Sequence, residues 1–140
     1  FPRTEVFELP FMMEKGNAEA TSRALWTLAE DTMTDDFADF HVLGLWVHGA
    51  GVIHSADPIV DVADLNCVKL RAPNRTATHL FSSLGATAVG MPVPAVPEAL
   101  SQGVIDATEF SMPTIDIKLG FYQIAKNNYF CVASTAHFFS

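Results

Sequence analysis

The sequence predicts an α/β fold in three layers, with helices on both faces of a mainly parallel sheet. Three observations carry that expectation. From Val68 onward, short apolar runs alternate with helical stretches of about ten residues, the pattern of βαβ units. The runs are short and apolar, as expected of strands covered on both faces. Gly85 and Gly103 stand just past two of the helical stretches, where a helix commonly ends in left-handed backbone.

The elements follow in order. Val6-Phe7-Glu8-Leu9-Pro10 reads as a strand or loop entered mid-fold, so a processed or truncated chain is expected. Residues 17–31 carry Ala20, Ala24, Leu25, Leu28 and Ala29 at helical spacing, with Asn17 as N-cap. The polar stretch 32–39 ends that helix. Residues 41–47 and 51–54 read as strands, with Gly49 and Gly51 at a bend between them. Asp57-Pro58 is a turn, and 61–65 a short helical turn. Next come a strand at 68–71, a helix at 76–84, a strand at 87–91, a helix at 94–102 and a strand at 104–107. A longer helix is expected at 114–127, with Ile115, Leu119, Tyr122 and Ile124 broadly on one side, and 129–139 is strand-like.

Composition narrows the function. Apolar residues make up 49% of the chain and charged residues 17%, which indicates a folded core. No apolar run reaches the roughly 18 residues of a membrane span, and the first residues lack the basic start and apolar stretch of a signal peptide. The net charge of −8, with eight Lys and Arg, argues against a nucleic-acid partner. It does not argue against small anions, because one buried Arg can capture a carboxylate whatever the net charge. Cys67 and Cys131 read as buried thiols, or as one disulfide in an oxidising compartment. His41, His48, His54, His79 and His137 show no metal-ligand spacing, so no metal site is assigned. With no nucleophile elbow and no phosphate or dinucleotide loop, neither a catalytic set nor a cofactor is assigned.

Ligands of open α/β sheets gather beyond the carboxyl ends of the strands. Arg71 ends one expected strand and leads into Ala72-Pro73-Asn74, Met91 ends the next, and Glu109 and Phe110 follow the third. Arg71 is the sharpest of these candidates: its planar fork suits a carboxylate, and Pro73 stiffens the turn behind it. The residue type alone equally allows a surface charge that covers apolar area. Glu109 and Phe110 could line the same cleft, as acceptor or cation ligand and as apolar wall; a helix-start acid and a core Phe are the alternatives. Asn74-Arg75-Thr76 is a formal glycosylation sequon that also reads as a helix start.

Several of these segments resemble one family. Asp64-Leu65-Asn66-Cys67-Val68-Lys69-Leu70-Arg71-Ala72-Pro73 is similar to the D-L-x-G-x-K-[IL]-R-x-P signature of TRAP-transporter solute-binding proteins. Phe1 through Pro10 resembles the segment that opens the middle of those proteins. Leu84-Gly85-Ala86 through Met91-Pro92 and Ala99 through Ala107 resemble two further blocks, and Phe121 through Lys126 the family's long connecting helix. The resemblance runs along nearly the whole chain in the right order. It implies a periplasmic-binding-protein-like (type II) lobe that captures a small carboxylate in the periplasm. It also implies delivery to TRAP membrane permease subunits, and no enzymatic activity.

On this resemblance, residues 1–55 are a partial first-lobe segment with crossover strands. Residues 56–140 are the second-lobe α/β ligand-binding domain with its connecting helix, the two being able to pack as one unit. Arg71 falls where the family's Arg pairs with the ligand carboxylate, and Glu109 and Phe110 where further residues touch ligand; Asn74 and Met91 complete the expected set. The chain departs from the pattern at Cys67, which replaces the usual Gly, and at Phe110, where many members carry Asn or Trp. A keto-acid branch binds its ligand with a metal ion through a Glu like Glu109, but its further acidic ligand is not evident here. Two other readings stand beside this one: a truncated or engineered α/β scaffold without ligand binding of its own, and a flavodoxin-like or receiver-like domain.

Overall fold

The computed structural model describes residues 2–9, 12–13, 17–111, 127–130 and 136–139. The chain forms two compact units, Phe1–Ala50 with Val132–Ser140 and, between them in sequence, Gly51–Cys131.

In the first unit, helix α1 (Ala18–Thr32) starts where Asn17 Oδ1 accepts the Ala20 N–H at 3.0 Å. Thr21, Leu25 and Ala29 recur every four residues and form its buried stripe. Leu25 and Ala29 pack with Phe7, Met33, Phe37, Leu45 and Val47. Strand β1 (Gly44–Val47) lies against this helix, and the Val47 N–H donates to Ser22 Oγ at 2.9 Å. Its antiparallel partner is β7 (Ala136–Phe139). The expected strand or loop around residues 6–10 is instead the end of a 3-10 helix, Pro2–Glu8. Tertiary contacts decide this: Phe7 is buried in the core, and Arg3 donates to Asp36 and to the Thr32 carbonyl, both at 2.6 Å.

The second unit holds a five-stranded sheet in the order β4-β3-β5-β2-β6, comprising β2 (Gly51–Ser55), β3 (Lys69–Ala72), β4 (Thr87–Gly90), β5 (Ala107–Ser111) and β6 (Asn127–Phe130). Strand β3 pairs in parallel with β4 and β5, while β2 is antiparallel to both β5 and β6. Only β2 therefore runs against the other four, and the sheet is mainly parallel. Helix α2 (Arg75–Ser83) brings Ala77 and Phe81 onto the face that carries Leu70, Ala72, Ala107 and Ile53. Helix α3 (Val96–Ser101) brings Val96, Ala99 and Leu100 against Phe110 and Val89 on the other face. Sheet and helices make the expected α/β layering.

The two glycine stops hold, with φ of +95° at Gly85 and +68° at Gly103. The third strand starts later than expected, at Ala107. Residues 104 and 105 finish α3 instead, both their N–H groups donating to the Ala99 carbonyl at 2.9 and 3.3 Å. The ladder to β3 opens with the Asp106 N–H on the Lys69 carbonyl at 2.8 Å. The single strand expected at 129–139 resolves into β6 and β7, one in each unit. The helix expected at 114–127 lies outside the described residues, except that Asn127 opens β6.

Cys67 sits in left-handed backbone, φ 64°, and its N–H donates to the Gly85 carbonyl at 3.0 Å. That backbone suits the Gly of the signature. The thiol is free and exposed, which corrects the expectation of a buried one. Cys131 lies outside the described residues.

Candidate functional site

Arg71 is the third residue of β3 and is paired on both sides, with Val89 of β4 and Thr108 of β5. A central parallel strand buries its side chains, and Arg71 is 4% exposed. Its neighbours hold the guanidinium from both sides. Nε donates to the Met91 carbonyl at 3.1 Å, and Nη1 to the Glu109 carbonyl at 3.2 Å. The guanidinium carbon lies 4.7 Å from the centre of the Phe110 ring, at cation–π distance. Ion pairs among the described residues join Arg3 to Asp36, Arg23 to Glu19 and Lys69 to Asp106; none involves Arg71. Burial pushes the Arg71 pKa down, and the nearby Glu109 charge pushes it back up. A cation so placed, with N–H groups that meet no acceptor among the described residues, is equipped to take an anion.

The other expected residues divide. Met91 and Phe110 come together with Arg71, Met91 through its carbonyl and Phe110 through its ring. Glu109 does not share that face. Alternation along β5 sends its side chain to the side of Ala107 and of Ile53, its register partner in β2. Only the Glu109 carbonyl meets Arg71. The Glu109 side chain is 2% exposed, and its Oε2 has no hydrogen-bond partner among the described residues. Burial raises its pKa to about 7, opposed by the Arg71 charge. Asn74 caps α2, its Oδ1 accepting the Ala77 N–H at 2.8 Å, so its carbonyl oxygen serves the helix start.

Sequence reasoning passed over Thr108. It is fully buried and stands in register between Arg71 and His54, making a polar row across β3, β5 and β2. The row becomes legible once β5 is known to begin at Ala107, because Thr108 then alternates with Ala107 and Glu109. A separate cavity of about 230 Å³, lined by Ser55, Asp57, Asp64, Asn66, Cys67 and Asp106 among others, lies by the amino ends of β3 and β5. Among the described residues no cluster of His, Cys, Asp and Glu is arranged to hold a metal ion. No helix among them is long and apolar enough to cross a membrane.

Known structures share this frame. A TRAP solute-binding protein from Rhodoferax ferrireducens, in complex with copurified benzoate, is 40% identical with a TM-score of 0.81. The match covers 100% of this chain and 45% of that one. A marine metagenome TRAP solute-binding protein specific for aromatic acid ligands, in complex with 3-hydroxybenzoate, is 38% identical with a TM-score of 0.84, covering 99% and 44%. A TRAP periplasmic solute-binding protein from Desulfovibrio desulfuricans, with bound sn-glycerol-3-phosphate, is 26% identical with a TM-score of 0.76, covering 96% and 45%. The chain thus spans less than half the length of each. Residues 1–139 match the family described as bacterial extracellular solute-binding protein, family 7. This chain belongs to that family.

Proposed function

We propose that the chain takes part in capturing a small organic acid, foremost an aromatic carboxylate, as part of a periplasmic solute-binding protein. That protein hands its ligand to the membrane permease subunits of a TRAP transporter and catalyses no reaction. The observation that carries this reading is Arg71: a buried guanidinium at the carboxyl end of parallel strands, held by two backbone carbonyls and paired with no carboxylate among the described residues. A buried charge without a counter-charge is costly, and a bound anion offsets that cost. Met91 and Phe110, which meet Arg71, and Asn74, at the start of α2 just beyond β3, complete the proposed site, to which Glu109 contributes the carbonyl that holds Arg71.

The relatives at 40% and 38% identity, bound to benzoate and 3-hydroxybenzoate, support an aromatic acid. The glycerol-3-phosphate relative supports an anion more broadly. Calorimetric titration with benzoate, 3-hydroxybenzoate, glycerol 3-phosphate and neutral benzamide tests the reading. Lys cannot reproduce the fork's two parallel bonds, and hydrogen bonds to charged groups contribute about 1.5–3 kcal/mol each. Arg71→Lys should therefore weaken carboxylate binding at least about tenfold. Equal affinities at an unchanged melting temperature would show that Arg71 holds no ligand.

A further inference from the structure

We propose that Phe110 is a positioning residue, whose ring holds the Arg71 guanidinium ready for an incoming carboxylate; the proposal rests on the reading of Arg71 as the anion anchor. Phe110 is 6% exposed and belongs to the core cluster of Val96, Ala99, Leu100 and Ile105. A ring wedged between the sheet and α3 presents almost no surface to a solute. What it does present is a contact to the guanidinium, 4.7 Å from ring centre to guanidinium carbon. The Met91 and Glu109 carbonyls take N–H groups at the guanidinium edge while Phe110 supplies the ring contact. A flexible side chain is thereby held on more than one side, and the N–H groups left without an acceptor among the described residues are those of Nη1 and Nη2. Such preorganisation raises affinity by reducing the freedom lost on binding. The electron-rich face of the ring adds attraction to the cation that an aliphatic side chain of similar size lacks.

The test replaces Phe110 by its mono-, di- and trifluorinated analogues, which keep the shape of the ring and progressively cancel its negative face. Benzoate affinity should fall stepwise, by about threefold to tenfold across the series, while benzamide affinity and the melting temperature stay level. In the ligand-free protein, the Arg71 side-chain N–H signals should carry a ring-current shift that Phe110→Leu abolishes. Flat benzoate affinity across the series, with binding still lost in Arg71→Lys, would overturn the role of Phe110 and leave the anchor standing. A parallel loss of benzoate and benzamide would also overturn it, because a general packing defect explains that pattern. Unweakened benzoate binding by Arg71→Lys would instead remove the anchor on which the proposal depends.

Discussion

Replacing Glu109 by Gln should change how the protein's stability depends on pH. The side chain is buried on the α2 face of the sheet with one carboxyl oxygen unpartnered among the described residues, and its pKa rises from 4.5 to about 7 on folding. The folded state therefore holds a proton that the unfolded chain releases between those values. Stability is fully expressed below about pH 4.5, declines as pH rises, and levels off above about pH 7. Each pH unit across that window corresponds to 1.36 kcal/mol, so the decline amounts to about 3 kcal/mol. Gln keeps the shape of the neutral acid and cannot ionise. At pH 8 Glu109→Gln should be more stable than the parent by about 3 kcal/mol, and at pH 4 the two should nearly coincide. Urea unfolding of both proteins at half-unit steps from pH 4 to 8 measures the difference, in which groups that titrate alike in both cancel. Two stability curves that stay parallel through that range would refute the claim that Glu109 is buried as the neutral acid.

Two further outcomes follow from local geometry. Asn74→Ala removes the α2 cap and should lower stability by about 1 kcal/mol in thermal melts. Asn74→Asp keeps the acceptor and the stability, but it sets a negative charge three residues from Arg71 and should weaken benzoate binding in the titration. Cys67→Gly removes an L-residue from left-handed backbone, a strain of about 1–2 kcal/mol, against about 0.5–1 kcal/mol of added freedom in the unfolded chain. Its melting temperature should equal or exceed that of the parent, and a clear fall would show that the thiol side chain contributes packing of its own.

Features settled within a few residues of chain were legible in advance. Asn17 and Asn74 cap helices because a side-chain oxygen reaches a backbone N–H three residues on. Gly85 and Gly103 end helices because that backbone carries little penalty without a Cβ. The short apolar strands and the family motifs led to the fold class and to Arg71, since a type of residue at a strand end is a local pattern. Strand partners are not local. The sequence carries no sign that β2 reverses between β5 and β6, because Ile53 faces Glu109 and Tyr129 across long separations whose pairing only the folded sheet establishes.

The candidate site divides the same way. Arg71, Met91 and Phe110 could be named from the sequence, but their meeting could not, since it depends on parallel register between β3 and β5. Arg71 pairs with Thr108, which places Phe110 on the same face and Glu109 on the other. Side chains alternate with period two, so a one-residue slip in that pairing would exchange Glu109 and Phe110 beside Arg71. The residues are determined by the sequence alone; which of them share a face is decided by a hydrogen-bond ladder between segments nearly forty residues apart, opened by the Asp106 N–H on the Lys69 carbonyl.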